Sequence, residues 1–180
     1  MTNYKVIIEY VGTAFKGWQK QGNTDNTIQG KIERCLSEIA GEAVEIHGAG
    51  RTDAGVHAKG QVANFHCKSA MPCEQMLQQL RTYLPEDIGI LRCKDVSERF
   101  HARLNASEKT YLYRVMCSDV PHIFDRRYVY VMPKALDIKA MEQAAKLLKG
   151  THDFKGFSTK KKMKKNLLFP LKIYNLVLPN

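Results

Sequence analysis

The chain has 180 residues, of which 44% are hydrophobic, and a chain of this length and composition can build the core of one large domain or two small ones. Its 28 Lys and Arg residues exceed its 18 Asp and Glu residues, and the net charge of +10 favours a polyanionic partner, above all nucleic acid. It contains no run of about 18 apolar residues and no charged-then-apolar leader, so we expect a cytoplasmic protein rather than a membrane or secreted one.

The cysteines are odd in number and scattered along the chain. No two of them stand at the short spacing that zinc sites favour. We therefore expect reduced thiols with a packing role, and no metal site. The five residues are Cys35, Cys67, Cys73, Cys93 and Cys117.

The first predicted element is a strand over residues 4–11, which is rich in aromatic and β-branched side chains and closes at Gly12. The loop that follows, over residues 15–21, mixes aromatic rings with cationic and amide side chains. Two alternatives remain open for this loop. Either Trp18 and Gln19 contact RNA by stacking and by binding phosphate, or Trp18 is a buried anchor.

Apolar residues at helical spacing predict two amphipathic helices, over residues 27–40 and 73–84. The first has an N-cap at Asn26 or Thr27 and a glycine stop at Gly41. Each helix is expected to pack one face on a sheet.

The stretch from Gly48 to Ala58 reads Gly-Ala-Gly-Arg-Thr-Asp-Ala-Gly-Val-His-Ala and joins two predicted strands, over residues 44–46 and 61–67. Its three glycines permit tight turns and a close approach of the backbone to a bulky ligand. The loop is longer than hairpin closure requires, which favours a functional role. Asp53, near Arg51, is then the candidate for chemistry. The alternative is a hairpin loop whose aspartate only binds nearby backbone amides.

With a last strand over residues 88–96, the order strand, helix, strand, strand, helix, strand predicts an α+β fold. We expect a ferredoxin-like (RRM-like) split βαββαβ domain over residues 1–98, in which two helices cover one face of a four-stranded antiparallel sheet and the other face stays free. RNA-recognition modules use this topology, but so do many unrelated proteins, so the fold does not decide the function.

Residues 99–180 predict only a partial second α+β domain. A strand over residues 108–117 carries Tyr111, which either meets an RNA base or packs in the core. A strand over residues 127–131 precedes a helix over residues 137–148. The apolar face that this helix is expected to turn inward consists of Ile138, Met141, Ala144, Ala145 and Leu148.

A run of lysines follows that helix and either contacts phosphates or forms a solvated loop; it includes Lys160, Lys161 and Lys162. The tail over residues 166–180 is mostly apolar, and we expect it to remain exposed for lack of partner elements.

Five segments of the chain form a recognisable series: Phe15–Gln21, Gly48–Ala58, Gly60–Val62, Phe100–Arg103 and Lys109–Tyr113. In this order and at these spacings they resemble the TruA-type tRNA pseudouridine synthases. The Gly-Arg-Thr-Asp-Ala-Gly-Val-His block is the signature of that family's active site. The resemblance implies that Asp53 is the catalytic aspartate, that Tyr111 stacks on the target base and that Arg51 holds the flipped-out nucleotide. The candidates for further RNA contacts are Trp18, Gln19, His57, Arg103, Lys160, Lys161 and Lys162.

The resemblance implies an isomerase that converts uridine to pseudouridine in the anticodon stem-loop of tRNA without metal or organic cofactor, and that forms a homodimer in the family. After residue 165 the pattern departs from the family, because the Ser/Thr-x-x-Arg segment whose arginine pairs with the aspartate has no counterpart. We therefore expect a truncated or frameshifted chain with incomplete dimer contacts and impaired activity. The alternative function is a non-enzymatic RNA-binding relic.

Overall fold

The computed structural model describes residues 1–157 and 168–171. The chain divides into two units, Met1–Thr110 and Tyr111–Asn180, and both combine helices with strands, so the protein belongs to the α+β class. The first unit contains, in chain order, β1 (Thr2–Tyr10), a short 3-10 helix (Gly12–Ala14), α1 (Ile28–Ala40), β2 (Ile46–Gly48), β3 (Ala58–Cys67), α2 (Cys73–Tyr83) and β4 (Ile88–Val96).

The four strands of the first unit form one antiparallel sheet in the order β2-β3-β1-β4. Along β1 every second side chain from Tyr4 to Tyr10 is buried, as the alternation of a strand with one covered face requires. These side chains pack with the apolar faces of α1 and α2 in a single core. That core fixes the register of the sheet, because a slip of one residue would expose it.

Local signals set the ends of α1 where the sequence predicts them. The Thr27 side chain accepts a hydrogen bond from the Gly30 amide at 3.2 Å, which satisfies one free N–H of the first turn. At the other end Gly41 adopts the left-handed conformation with φ of 66°. Ile28 and Ile32 are fully buried along the inner face.

The expectation that the second face of the sheet stays free is wrong at one end of the sheet. Two buried asparagines on that face, Asn3 and Asn64, hydrogen-bond the backbone of residues 97–102. The Lys5 ammonium also lies 5.3 Å from the centre of the Phe100 ring. The two asparagines satisfy the peptide groups of a covering segment, so this part of the face is not open to solvent.

The second unit contains β5 (Val115–Cys117) paired in parallel with β6 (Tyr130–Met132), then α3 (Ile138–Leu148), and β7 (Gly150–Asp153) paired antiparallel with β8 (Leu168–Leu171). A 3-10 turn at Lys155–Phe157 follows β7.

Two sequence expectations for the second unit are wrong. The strand predicted over residues 108–117 is limited to β5, because β6 offers only three residues as pairing partners and unpaired strand backbone gains no ladder hydrogen bonds. The expected inward face of α3 is not buried either: within the described part of the chain, no residue of this helix is buried, and Met141 exposes 51% of its surface.

Two expectations, for the lysine run and for the apolar tail, concern residues that lie mostly outside the described part of the chain. The lysine run at residues 160–162 lies outside the described residues, as does the apolar tail apart from the backbone of β8. Among the helices that the structure describes, none has the length and the hydropathy needed to cross a bilayer.

Candidate active site

Asp53 lies in the loop of residues 49–57 that joins β2 to β3, and its side chain is exposed. The base of the loop continues the sheet, since the Ala49 amide donates to the Val62 carbonyl at 2.8 Å. At its tip the Asp53 carbonyl accepts from the Val56 amide at 3.2 Å, with Gly55 at a φ of 80° completing the turn. In residues 1–157, no hydrogen bond or ion pair engages the Asp53 carboxylate, so the alternative in which it only binds local amides is not what the structure contains.

The loop is held by the segment that follows β1. The Trp18 amide donates to the Thr52 carbonyl at 3.0 Å, and the Gly55 amide donates to the Phe15 carbonyl at 3.3 Å. The Tyr10 hydroxyl lies 2.9 Å from Thr52 Oγ1. Burial raises the pKa of the Tyr10 phenol, so it stays a neutral hydroxyl partner at neutral pH. The backbone on both sides of Asp53 is therefore fixed while its carboxylate stays accessible.

Two glycines outside the signature loop make this packing possible, and the sequence analysis did not single them out for it. Gly17 has a φ of 92°, and a Cβ there would lie 2.7 Å from the Thr52 carbonyl oxygen. A Cβ at Gly12 would overlap the Val56 carbonyl, while the Gly12 amide donates to His57 Nδ1 at 3.2 Å. His57, one of the predicted RNA contacts, thus serves as an acceptor that ties the two loops together.

Trp18 corresponds to the second of its two predicted alternatives, the buried anchor. It exposes only 2% of its surface, and its indole packs so closely on Gly48 that a Cβ there would lie 2.7 Å from the ring. The ring also lies 6.1 Å from that of Tyr10. An indole buried to this degree supports the loops that carry the site.

A cavity of about 400 Å³ lies beside the loop. It brings together four of the predicted site residues: Arg51, which was expected to hold the flipped-out nucleotide, and Trp18, Gln19 and Arg103, which were expected to contact RNA. Asp53 and His57 are not among its lining residues. The lining residues are Trp18, Gln19, Gln29, Glu45, Ile46, His47, Gly48, Ala49, Gly50, Arg51, His101, Arg103 and Lys109.

The cavity is cationic, since its lining contains three positively charged residues, Arg51, Arg103 and Lys109, and one acidic residue, Glu45. Lys109 was not predicted as a site residue. Its ammonium lies 3.3 Å from the point where a Cβ on Gly50 would be, so the absence of a side chain at Gly50 gives it room. Guanidinium and ammonium groups around a concave surface suit the binding of phosphate oxygens.

Two histidines complete the wall of the cavity, and neither was singled out as a site residue. His47 on β2 and His101 stack with ring centres 5.1 Å apart and planes inclined by 22°. Glu45 Oε1 lies 3.9 Å from His47 Nδ1. Local sequence patterns could not predict this pair, because its members are 54 positions apart in the chain.

Buried polar groups hold another part of the cavity lining, which includes Gln29 and Ile46. Gln29 on α1 donates to Glu33 Oε1 at 2.8 Å and accepts from the Lys20 amide at 3.1 Å. Glu33 Oε1 in turn accepts from the Ile46 amide at 3.2 Å, so that α1 holds the start of β2. The walls of the cavity are therefore attached to the core of the first unit.

Tyr111 and three lysines are the remaining predicted site residues. Tyr111 belongs to the second unit, where it precedes β5 and exposes 70% of its surface. Lys160, Lys161 and Lys162 lie outside the described residues. The second unit has a cleft of its own, of about 560 Å³, lined by residues between Ser118 and Pro133.

Groups that bind metals or carry out thiol chemistry do not converge in the described part of the chain. Among those residues, no three His, Cys, Asp or Glu side chains form a cluster that could hold a metal ion. All five cysteines are free thiols. Burial raises the pKa of Cys35 to about 11 and that of Cys93 to about 12, so both thiols are protonated at neutral pH.

The chain is similar to known proteins over most of its length. The family described as tRNA pseudouridine synthase matches residues 6–105. The chain is 48% identical to tRNA pseudouridine synthase A 2 of Bacillus cereus over 168 residues, which cover 93% of this chain and 69% of that protein. It is 47% identical to tRNA pseudouridine synthase A 1 of Clostridium tetani over 176 residues, or 98% of this chain and 72% of that protein. Because 176 of the 180 residues align there, the similarity extends into residues 166–180. The chain belongs to the tRNA pseudouridine synthase family.

Proposed function

We propose that the chain isomerises uridine to pseudouridine in tRNA and that Asp53 is the carboxylate that initiates the reaction. The observation that carries the proposal is an exposed carboxylate on a rigidly held loop next to a cationic cavity, in a chain of this family. The reaction breaks the N–C bond between uracil and ribose and forms a C–C bond between the same two groups. One proton moves from carbon to nitrogen of the ring, so the atoms balance without a second substrate or a redox cofactor. A carboxylate is the nucleophile or base that such a step requires.

The target base must leave its stack before the carboxylate can act on it. We assign the holding of the flipped nucleotide to Arg51, and contacts with the RNA backbone to Gln19 and Arg103, because these side chains line the cavity. The exposed ring of Tyr111 is available to stack on a base. The proposed substrate is the anticodon stem-loop of tRNA, with Lys160, Lys161 and Lys162 as further phosphate contacts.

We also propose a ferredoxin-like architecture for residues 1–98, with residues 99–180 as a partial second α+β domain. The strand order β2-β3-β1-β4, with α1 and α2 inserted after β1 and β3, supports the first part. The homodimer and the reduced activity that the resemblance implies remain predictions.

The test is the substitution Asp53→Asn, with Glu86→Gln as the matched control, since Glu86 is an exposed carboxylate in the α2–β4 connection. Pseudouridine is measured by mass spectrometry of digested tRNA, and tRNA affinity by filter binding. We expect Asp53→Asn to lower turnover by at least about a thousandfold and to change affinity by less than about twofold, because the amide keeps the shape but cannot act as nucleophile or base.

The control should behave like the unmodified chain in both assays. Near-normal turnover by Asp53→Asn would remove Asp53 from the mechanism. If the unmodified chain binds tRNA but forms no pseudouridine, the alternative of a non-enzymatic RNA binder replaces the enzyme.

A further inference from the structure

The turn that carries Arg103 and His101 to the cavity is a closed unit of hydrogen bonds. The His101 amide donates to Asn105 Oδ1 at 2.8 Å, and the Asn105 amide donates back to the His101 carbonyl at 2.9 Å. The Arg103 amide donates to His101 Nδ1 at 3.2 Å. Residues 101–105 are therefore tied to one another, and their position depends on whatever attaches the turn to the sheet.

The attachment is made by Asn64 on β3, which is fully buried. Its Oδ1 accepts from the Ala102 amide at 2.8 Å, and its Nδ2 lies 3.4 Å from the Phe100 carbonyl oxygen. Asn3 on β1 completes the arrangement, accepting from Asn64 Nδ2 at 3.1 Å and donating to the Phe100 carbonyl at 2.9 Å.

We propose that Asn64 is a positioning residue for RNA binding, which acts by holding the turn of residues 101–105 so that Arg103 and His101 form one wall of the cationic cavity. This inference rests on the proposed function. Asn64 does not line the cavity, so it has no direct contact to offer a ligand there. Its Oδ1 is used on the turn that does, because it is the acceptor for the buried Ala102 N–H.

Asn64 also fits this role because of its place in the sheet. In the sheet Asn64 is paired with His47 on β2 and with Lys5 on β1. It therefore lies between the strand that carries one of the stacked histidines and the strand whose Lys5 contacts the Phe100 ring. Asn64 thus sets the turn relative to His47, whose ring stacks on His101. Loss of its amide leaves the internal bonds of the turn intact but removes the direct tie from β3 to Ala102.

The experiment is a double-mutant cycle on tRNA affinity with the full chain, using Asn64→Ala, Arg103→Ala and the double variant. If Asn64 acts in part through Arg103, each single change weakens binding, by about tenfold as an order of magnitude, and the double variant loses less binding free energy than the sum of the two single losses. A purely structural role for Asn64 does not produce this loss of additivity. Where turnover can be measured, the effect should fall on KM and leave kcat nearly unchanged.

Tyr4→Phe is the matched control. The Tyr4 hydroxyl is likewise part of a buried side chain that binds loop backbone, donating to the Met71 carbonyl at 2.7 Å and accepting from the Met71 amide at 2.8 Å, and Tyr4 is not a lining residue of the cavity. It should reduce stability without changing tRNA affinity. Circular dichroism reports whether each variant folds. If the alanine variant is unfolded, Asn64→Thr replaces it in the cycle, because threonine has a similar volume and favours strands.

Additive effects of the Asn64 and Arg103 changes, or unchanged affinity in a folded Asn64 variant, would overturn the inference while leaving the proposed function intact. Failure of the unmodified chain to bind tRNA would instead overturn the proposed function itself, and with it this inference.

Discussion

Helices α1 and α3 have the same local design but differ in burial. Both begin with a side-chain cap: Thr27 accepts from the Gly30 amide, and Asp137 accepts from the Ala140 amide at 3.0 Å. Both have apolar residues at helical spacing. Yet Ile32 of α1 is fully buried, and within the described residues α3 buries none of its side chains. Local signals are therefore sufficient to specify a helix, but burial needs a partner surface, which the four-stranded sheet gives to α1.

The largest expected effect tests this contrast directly. Ile32→Ala should lower the free energy of unfolding by about 2–5 kcal/mol, because it leaves a cavity in a packed core. Met141→Ala, at an equivalent apolar position of α3 that is half exposed, should cost less than about 1 kcal/mol. Urea unfolding followed by circular dichroism measures both. Equal costs would show that α3 is packed in solution as firmly as α1.

A second test uses a pair of glycines, one in each unit. Gly17 and Gly150 both have positive φ, of 92° and 108°, so an alanine is strained at either position. Only at Gly17 does the new Cβ also collide with backbone, at the Thr52 carbonyl; the nearest atom at Gly150 is His152 Nε2 at 3.6 Å, an ordinary contact. The comparison thus separates backbone strain from close packing.

We expect Gly150→Ala to cost about 1 kcal/mol and Gly17→Ala about 1–3 kcal/mol more. Gly17→Ala should also lower turnover, because the collision moves the peptide that leads to Asp53. The measurements are thermal unfolding and pseudouridine formation. Normal turnover by Gly17→Ala would show that the loop can shift without disturbing the carboxylate.

The same contrast explains how far the sequence predicted this protein. Elements of the first unit follow from signals within a few residues, such as Thr27 and Gly41 at the ends of α1, and the signature loop marks Asp53 by composition. The cavity could not be predicted in this way. Lys109 lies over Gly50, and Asn64 binds Ala102, and neither contact leaves a trace in local spacing. The second face of the sheet was expected to stay free, whereas Asn64 on that face is buried against a covering segment.

In the second unit, by contrast, the sequence predicts more regular structure than the chain contains. Around Tyr111 the pattern of aromatic and β-branched residues is typical of a strand, but a strand also needs neighbours with free backbone groups. In the described residues β5 has only β6 as a neighbour, and it is confined to the three residues that β6 pairs. Propensity overestimates regular structure wherever the pairing surface is small.

The smallest expected effect concerns the thiols, and it compares the two units by chemical reactivity. Cys35 and Cys93 belong to the first unit, and burial raises their pKa values to about 11 and about 12; Cys117 of β5 is exposed. Because the thiolate is the reactive form, a maleimide or disulfide reagent near pH 8 should modify the exposed Cys117 first. It should modify the half-buried Cys93 more slowly, because its pKa is raised, and the buried Cys35 only when the first unit opens. Mass spectrometry of peptides at successive times gives the order.

The raised pKa values also predict the direction of the pH dependence of stability. Above the ordinary thiol value of 9.0, the unfolded chain releases the protons of Cys35 and Cys93, while the folded chain keeps them until about pH 11 and 12. The unfolded state then binds fewer protons, so the free energy of unfolding falls as the pH rises through this range. Replacement of both cysteines by alanine should make that fall in the free energy of unfolding smaller. Equal labelling rates at Cys35 and Cys117 in the folded chain would mean that the core of the first unit opens as readily as the exposed strand of the second.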